Sequence, residues 1–467
     1  MENQNTHKKL LLLNPPGSRM FFRDYYCAKV SKARYYYHPV DLVYLSGSLS
    51  EHFQVSVIDA IAENMDISTC RTKILSIGPD IVIFLSSAPS YKEDMMFISE
   101  MKALLQATIM IGTGDIFREY KEFALQENKI IDALLLDFST QDIITYLLSE
   151  EKTIPNIIKR DGEEIINGGE KHLSGSFDLP LPRWDLFNLK AYHFPFARKI
   201  PYASILTDFG CPFSCDFCPV STLGYKLRSI SSVIDELRIL KKLGVKELYI
   251  RDQTFGVNKQ RTLDLLRAIT IENFKFGWTC LSRTDILDAF VLKLMKEAGC
   301  HTIMIGIESA NEQFMISHNK NTTTHQTHEA ISLIKKAGIR AGGFFMIGFP
   351  GETRQSINDT IDLACSLNLD YASFNIVNPR FGTSLRKTVI EKGSIYENIL
   401  DTESSFSKPV WKNQQVSNDN LLCLKKYAVR KFYLRPGYLF KRLLNIKTFH
   451  ETKNLFAEAV ELLRKNK

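Results

Sequence analysis

The sequence predicts an α/β protein: a doubly wound, Rossmann-like front domain, then a partial (β/α)6 barrel of the TIM type, then a helical C-terminal extension. Three observations predict it. Short β-branched or leucine runs alternate with helical apolar spacing over residues 9–148 and again over 202–377. Several helical stretches end on glycine (Gly244, Gly299, Gly338), the residue a left-handed cap prefers. The 467 residues are 45% hydrophobic and 24% charged, a globular mix that excludes disorder for most of the chain.

The front domain, 1–150, opens on Lys9–Leu13, an apolar strand stopped by Asn14-Pro15-Pro16-Gly17. Val40–Glu51 has helical spacing and Gln54–Ile58 alternates as a strand does. Asp80–Leu85 is a continuous apolar run, as a strand buried on both faces requires. Tyr91–Leu105 reads as helix, Thr108–Ile111 as strand, Asp132–Leu136 as strand and Gln141–Leu148 as helix. Ligands of such sheets bind outside the carboxyl ends of strands. The relevant loops are 14–17, 86–90, 112–115 and 137–140.

Residues 151–200 read as a linker. Within it Ile154–Lys159 and Glu164–Ile166 flank Asp161-Gly162, which predicts a small hairpin. The barrel spans 201–390. Its strands are Ala203–Thr207, Glu247–Arg251, Gly277–Cys280, Thr302–Ile307, Gly342–Ile347 and Ser373–Val377. Its helices are Ser232–Leu243, Asn258–Ile271, Leu287–Ala298, Gln326–Ala337 and Thr353–Leu367. Chemistry in such barrels sits at the carboxyl ends of the strands. The extension, 391–467, is helical beyond about 417 and carries twelve Lys/Arg from Lys425 to Lys467 against Glu451, Glu458 and Glu461. A solvated appendage is its plain reading; contact with a membrane surface or an anionic substrate is the sharper one. Tyr427, Phe432, Tyr433, Tyr438 and Phe440 read as packing residues rather than lipid anchors.

A net charge of +7 is too small to argue for nucleic acid. No apolar run reaches the ~18 residues of a membrane span. Leu10–Leu13 is also too short for a signal-peptide core, so a cytoplasmic protein is expected. Nine cysteines, an odd number, argue against a disulfide framework. Cys27, Cys70, Cys280, Cys300, Cys365 and Cys423 are scattered and read as buried small hydrophobes.

Cys211-Pro-Phe-Ser-Cys215-Asp-Phe-Cys218 carries the chemistry. It follows the first barrel strand, at the functional end. Three thiolates on one short loop converge on a metal centre. Structural zinc needs a fourth ligand, for which Cys280 is the candidate. Three unpartnered core cysteines are the other alternative. An iron–sulfur cluster with three protein thiolates and one open iron fits the spacing better.

Cys-x3-Cys-x2-Cys with an aromatic, Phe217, before the last cysteine resembles the signature of the radical S-adenosylmethionine (SAM) superfamily. The resemblance implies a 4Fe-4S cluster held by Cys211, Cys215 and Cys218, with SAM chelating the fourth iron. It implies reductive cleavage of SAM to a 5′-deoxyadenosyl radical that abstracts hydrogen from a small-molecule substrate, with the protein orienting the cofactor. Carried over by strand position, Asp252 and Arg283 become SAM contacts to its amino group and carboxylate. Glu308 faces the ribose or amino acid, and Gly348 lies on the adenine-contacting strand. Phe217 is included as a cofactor contact. Glu352 reads more simply as favouring the next helix's N-terminus.

The doubly wound domain ahead of the motif, Asn14-Pro15-Pro16 and Phe432-Tyr433-Leu434-Arg435-Pro436 resemble the subgroup with a cobalamin-binding front domain. That subgroup includes methyltransferases at unactivated carbon, the anaerobic magnesium-protoporphyrin ester cyclase and hopanoid-modifying enzymes. The resemblance assigns Asn14, Pro15, Ser86, Gly112 and Gly114 to cobalamin. The chain departs from the cobalt-ligating Asp-x-His-x-x-Gly pattern, which is absent, and from two loop motifs, replaced here by Gly112-Thr113-Gly114-Asp115 and Asp137-Phe138-Ser139-Thr140.

The expectation is cobalamin-dependent methylation, with cyclisation or oxidation without methyl transfer as the alternative. A flavodoxin or ferredoxin-type electron donor is implied by the family. Two other classes compete with it: an iron–sulfur sensor or electron carrier, and a transfer-RNA methylthiolating enzyme. The second needs three further cysteines in the front domain, where only Cys27 and Cys70 occur.

Overall fold

The computed structural model describes residues 8–25, 28–31, 35–171, 174–393, 409, 411 and 413–444. Cys27 and the basic tail beyond 444 lie outside them. The chain forms two compact units, Met1–Tyr192 with Tyr225–Leu243, and His193–Gly224 with Gly244–Lys467.

In the first unit the sheet comprises β1 (Lys9–Asn14), β2 (Gln54–Asp59), β3 (Ile81–Leu85), β4 (Ile109–Thr113), β5 (Ala133–Leu135), β6 (Ile157–Asp161) and β7 (Glu164–Asn167). Their spatial order is 2-1-3-4-5-6-7. The first five are parallel, and β6 and β7 add antiparallel at the edge. Leu10–Leu13 pair with Val55–Ile58 on one side and Ile81–Phe84 on the other. They are buried throughout, because a parallel sheet is covered on both faces. The crossovers run through α1 (Val40–Ser50), α2 (Ile67–Ile77), α3 (Tyr91–Leu104), α4 (Asp115–Tyr120) with α5 (Glu122–Glu127), and α6 (Asp142–Leu148). The order reverses between β1 and β3, the switch point where doubly wound sheets take ligands.

Residues 151–192, expected as part of a linker, cluster with the first unit. The predicted hairpin is present as β6 and β7, but Ala133–Leu135 pair with Ile157–Lys159, so it extends the front sheet. Trp184 and Tyr192 are also buried in this unit. Helix α7 (Ile230–Lys242) clusters here too. The reason is a buried polar knot: Arg228 donates to Glu236 and to the Tyr44 hydroxyl (2.9 Å), while Trp184 Nε1 donates to Glu236 Oε1 at 2.8 Å.

The second unit holds a six-stranded, all-parallel sheet in strict chain order: β8 (Tyr202–Ile205), β9 (Glu247–Ile250), β10 (Gly277–Ser282), β11 (Cys300–Glu308), β12 (Arg340–Ile347) and β13 (Tyr371–Ile376). The helices are α8 (Lys259–Glu272), α9 (Ala289–Glu297), α10 (Glu312–Ser317), α11 (Thr324–Lys336), α12 (Arg354–Ser366), α13 (Ser384–Glu391), α14 (Asn418–Tyr433) and α15 (Pro436–Leu444). Side chains fix their starts. Asn258 and Asp288 accept from Arg261 and Val291 amides, and Thr323 and Thr353 form capping boxes. The three glycines predicted as helix ends have φ of 78°, 102° and 70°.

The edge strand β13 is covered by α14. Tyr433 donates its hydroxyl to the Ala372 carbonyl (2.8 Å) and accepts from the Ala372 amide (3.1 Å), which closes an edge otherwise open to strand addition. Phe432 is fully buried and Tyr438 donates to the Asp370 carbonyl, so these aromatics pack as expected. Tyr427 and Phe440, read as packing residues, are exposed instead. Among the described residues no helix is long and apolar enough to cross a membrane.

Candidate functional site

Strand β8 ends at Ile205, and Gly210, with φ of 82°, turns the chain into the cysteine loop. The Cys211 amide donates to the Gly224 carbonyl at 3.1 Å. The Cys218 amide donates to the Cys215 carbonyl at 3.1 Å, which closes the second half of the loop. Pro219 then begins a 3-10 turn over Pro219–Thr222, a position where its missing N–H costs nothing.

The loop is clamped by segments that follow several of the strands. Asp216, between two of the cysteines, accepts from His318 Nδ1 at 3.0 Å, and its amide donates to the His318 carbonyl. The Asp216 carbonyl receives the Leu385 amide from α13. Cys215 Sγ contacts the Asn319 carbonyl at 3.8 Å and receives Arg283 Nη1 at 3.7 Å. Cys211 Sγ lies 3.6 Å from Thr254 Oγ1. Burial pushes the Cys215 thiol up, against Lys320 and Arg283, whose charges hold it down. Those cations favour the thiolate that an iron ligand must be. Among the described residues no three His, Cys, Asp or Glu side chains close on one metal ion. In a 4Fe-4S cluster each thiolate takes a separate iron.

Cys280, weighed as a fourth ligand, is wholly buried in β10 beside Cys300, in the barrel wall. Phe217 packs edge-on to Phe349 at 5.6 Å, at the margin of a core of Met315, Phe349, Val377, Leu385, Val389 and Trp411.

Asp252 ends up elsewhere than on an open surface. Its Oδ1 accepts the Thr207 and Asp208 amides at 2.6 and 3.1 Å, and its Oδ2 accepts the Thr207 hydroxyl. It ties the end of β8 to β9 and thereby sets where the cysteine loop starts. Arg283 is similarly engaged. It forks onto Asp285 at 2.9 and 2.8 Å, donates to the Lys320 carbonyl at 2.8 Å and covers the Phe213 ring at 3.8 Å.

Glu308 terminates β11 at φ of 68°, beside a register shift between Gly306 and Glu308. Non-glycine residues rarely hold that conformation, and such outliers cluster at functional sites. Gly348, at φ of 89°, faces Leu421, and a Cβ there would approach it at 3.0 Å. Glu352 is wholly buried. Its Oε2 accepts the Gly348 and Phe349 amides at 2.5 and 2.9 Å, and burial pushes the carboxyl up to about 7. It shapes this turn more than it favours the α12 N-terminus.

The sequence reading missed Thr254, Lys320 and the Asp216–His318 pair. His318-Asn319-Lys320-Asn321 contained one signal: two asparagines, which adopt left-handed backbone readily, and they do so at φ of 56° and 53°.

In the first unit, the proposed cobalamin loops carry a buried polar network. Arg23 donates to Asn14 Oδ1 (2.9 Å), the Pro15 carbonyl (2.8 Å) and both Asp94 oxygens (2.7 and 3.1 Å). Asn14 donates to the Tyr36 hydroxyl and to Asp59, and Ser86 donates to Asp94. The glycines were expected to admit a ligand close to the backbone. A Cβ on Gly112 would meet the Phe117 ring at 2.7 Å and one on Gly114 the Ser86 carbonyl at 2.0 Å. Both glycines are therefore required by the chain's own packing. Loops 14–17, 86–90, 112–115 and 137–140 offer hydroxyls, backbone groups and two aspartates, with no histidine or cysteine. That donor set fits an amide-fringed corrin ring and supplies no imidazole for cobalt.

A family model described as Radical SAM superfamily matches residues 205–364. An uncharacterized methyltransferase of Pyrococcus horikoshii is 31% identical over 417 residues, covering 86% of this chain and 89% of that one. The anaerobic magnesium-protoporphyrin IX monomethyl ester cyclase of Cereibacter sphaeroides is 23% identical over 85% of this chain and 67% of its own. Among solved structures, the radical SAM methyltransferase TsrM of Kitasatospora setae, with cobalamin and a [4Fe-4S] cluster bound, superposes with a TM-score of 0.67. It is 18% identical, over 83% of this chain and 78% of that one. With the three-cysteine loop at the end of β8, these likenesses place the chain in a family: it belongs to the radical SAM superfamily, with a doubly wound domain ahead of its barrel.

Proposed function

We propose that this protein is a cobalamin-dependent radical SAM methyltransferase that methylates an unactivated carbon of a small-molecule substrate. One observation carries the reading: the three-cysteine loop and a 2-1-3-4-5 front sheet occur in one chain that is similar over most of its length to a protein named a methyltransferase. In this reading Cys211, Cys215 and Cys218 hold the cluster, and the loops at the carboxyl ends of β1 and β3–β5 hold the corrin. When bound, the cluster supplies the electron that cleaves SAM, and cobalamin supplies the methyl carrier.

The chain's own residues do the positioning. Asp252 fixes the start of the cysteine loop, and Arg283, Asp216 and His318 hold its middle. Lys320 and Arg283 place positive charge beside a sulfur, which tunes a cluster's potential. Phe217 and Phe349 wall the loop from water. A flavodoxin or ferredoxin-type protein is the proposed electron donor. The domain limits in this reading are a front domain through Tyr192 and a barrel from His193, with Tyr225–Leu243 packed on the front domain. A ring-forming or oxidative reaction is the second reading, favoured by the similarity to the protoporphyrin ester cyclase.

The corrin assignment has a direct test. Protein mixed with hydroxocobalamin and passed through a desalting column is expected to retain close to one corrin per chain by visible absorbance. Its spectrum should show no protein nitrogen on cobalt, given the donor set of the four loops. Elution free of corrin would contradict the assignment.

A further inference from the structure

We propose that Lys320 is the cation that receives the carboxylate of SAM, and that Arg283, the sequence's choice for that role, is instead a strut for the cysteine loop. The inference rests on the cofactor reading above.

Arg283 has few donors left. Its Nε and Nη2 are forked onto Asp285, Nη2 also serves the Lys320 carbonyl, and Nη1 points at Cys215 Sγ. Its guanidinium carbon stands 3.8 Å over the Phe213 ring. The planar fork that would grip a second carboxylate is already taken.

Lys320 is the opposite case. Its side chain is only 7% exposed. Its ammonium carries three donors. Among the described residues its one partner is Glu308 Oε1 at 3.4 Å, long against the ~2.7–2.9 Å of a charge-assisted bond. A buried ammonium with two idle donors is costly unless another acceptor completes it.

The backbone here is fixed, so the deficit belongs to the side chain. The Lys320 amide donates to the Met315 carbonyl at 2.8 Å and its carbonyl is held by Arg283. Gly306 leaves room: a Cβ there would stand 2.5 Å from Glu308 Oε1 and 3.0 Å from the ammonium. Arg283 bridges the Lys320 carbonyl to Cys215 Sγ, and the Asn319 carbonyl next in the chain lies 3.8 Å from that same sulfur, so the lysine belongs to the turn packed on the cysteine loop. An anionic group arriving at that cluster supplies the missing acceptors, and the carboxylate is the anionic group of SAM.

The test compares two ligands on anaerobically reconstituted protein by equilibrium dialysis. SAM and decarboxylated SAM share the sulfonium and the adenosine and differ in the carboxylate. Lys320→Met is expected to weaken SAM ~30-fold, the scale of one hydrogen bond to a charged group, and to leave decarboxylated SAM unchanged. Lys320→Arg should recover most of the SAM affinity, and iron per chain should equal wild type in both variants. Arg283→Gln should lower iron per chain and leave the ratio of the two affinities unchanged.

Equal weakening of both ligands would mean that Lys320 only braces Glu308, and no weakening would mean it has no part in binding; either overturns the proposal. If Lys320→Met loses its iron, Lys320→Arg decides by its own affinity ratio: one that falls to that of the carboxylate-free ligand also overturns it. Failure of wild-type protein to bind SAM would sink the cofactor reading itself.

Discussion

Replacing Cys215 by alanine is expected to abolish formation of 5′-deoxyadenosine from SAM and to leave the chain folded. The sulfur sits at the middle of the loop, with Arg283 aimed at it and the Asn319 carbonyl beside it. In the proposed reading its loss removes one of three cluster ligands, whereas the loop's other anchors do not use the side chain. Asp216 keeps His318 and the Leu385 amide, and the Cys218 amide still reaches a backbone carbonyl. Stability should therefore fall by only ~1 kcal/mol, the scale of removing one buried methylene-sized atom. Mass spectrometry of anaerobic reactions, with urea unfolding on the same samples, checks both halves. Cleavage above the protein-free background would mean the cluster is not held here.

The second large effect lies in the front unit. Arg23→Met should destabilise it by about 3–5 kcal/mol, the cost of stranding one member of a buried ion pair. Arg23 and Asp94 are both inaccessible to solvent. Burial pushes the Asp94 carboxyl up, and Arg23 holds it down. Without the guanidinium, Asn14, the Pro15 carbonyl and Ser90 each also lose a donor. The double variant Arg23→Met/Asp94→Leu should recover part of the loss, since replacing both partners by apolar groups removes the stranded charge. Urea denaturation followed by circular dichroism measures it. A loss under about 1 kcal/mol for the single variant would show the pair to be dispensable.

These two cases also mark what a sequence reveals. Leu10–Leu13 and Ile81–Leu85 were legible because a strand covered on both faces has one local signature, an unbroken apolar run. Helix α2 was not read: only Cys70 and Ile74 of its eleven residues are buried, too thin a stripe to show a period. The hairpin at 157–167 was legible from Asp161-Gly162, but its pairing with β5 depends on a partner far from its own turn. In the site, the cysteine spacing states its chemistry locally, so the loop was found. The engagement of Asp252 was hidden because its partner Thr207 becomes recognisable only once the strands are placed, and that of Arg283 because spacing alone does not show a side chain folding back onto Asp285 two residues on. Lys320 stayed hidden because a polar turn reads as solvated, and its burial comes from β11 and the cysteine loop packing around it.

The measurement that bears most directly on the methyltransferase reading is the identity of the products made from SAM. Protein reconstituted anaerobically with iron, sulfide and hydroxocobalamin, and given a strong reductant, is incubated with SAM and analysed by mass spectrometry. The expected result is 5′-deoxyadenosine together with S-adenosylhomocysteine, the latter formed only when cobalamin is present. 5′-Deoxyadenosine alone, unchanged by cobalamin, would contradict methyl transfer and point to ring-forming or redox chemistry.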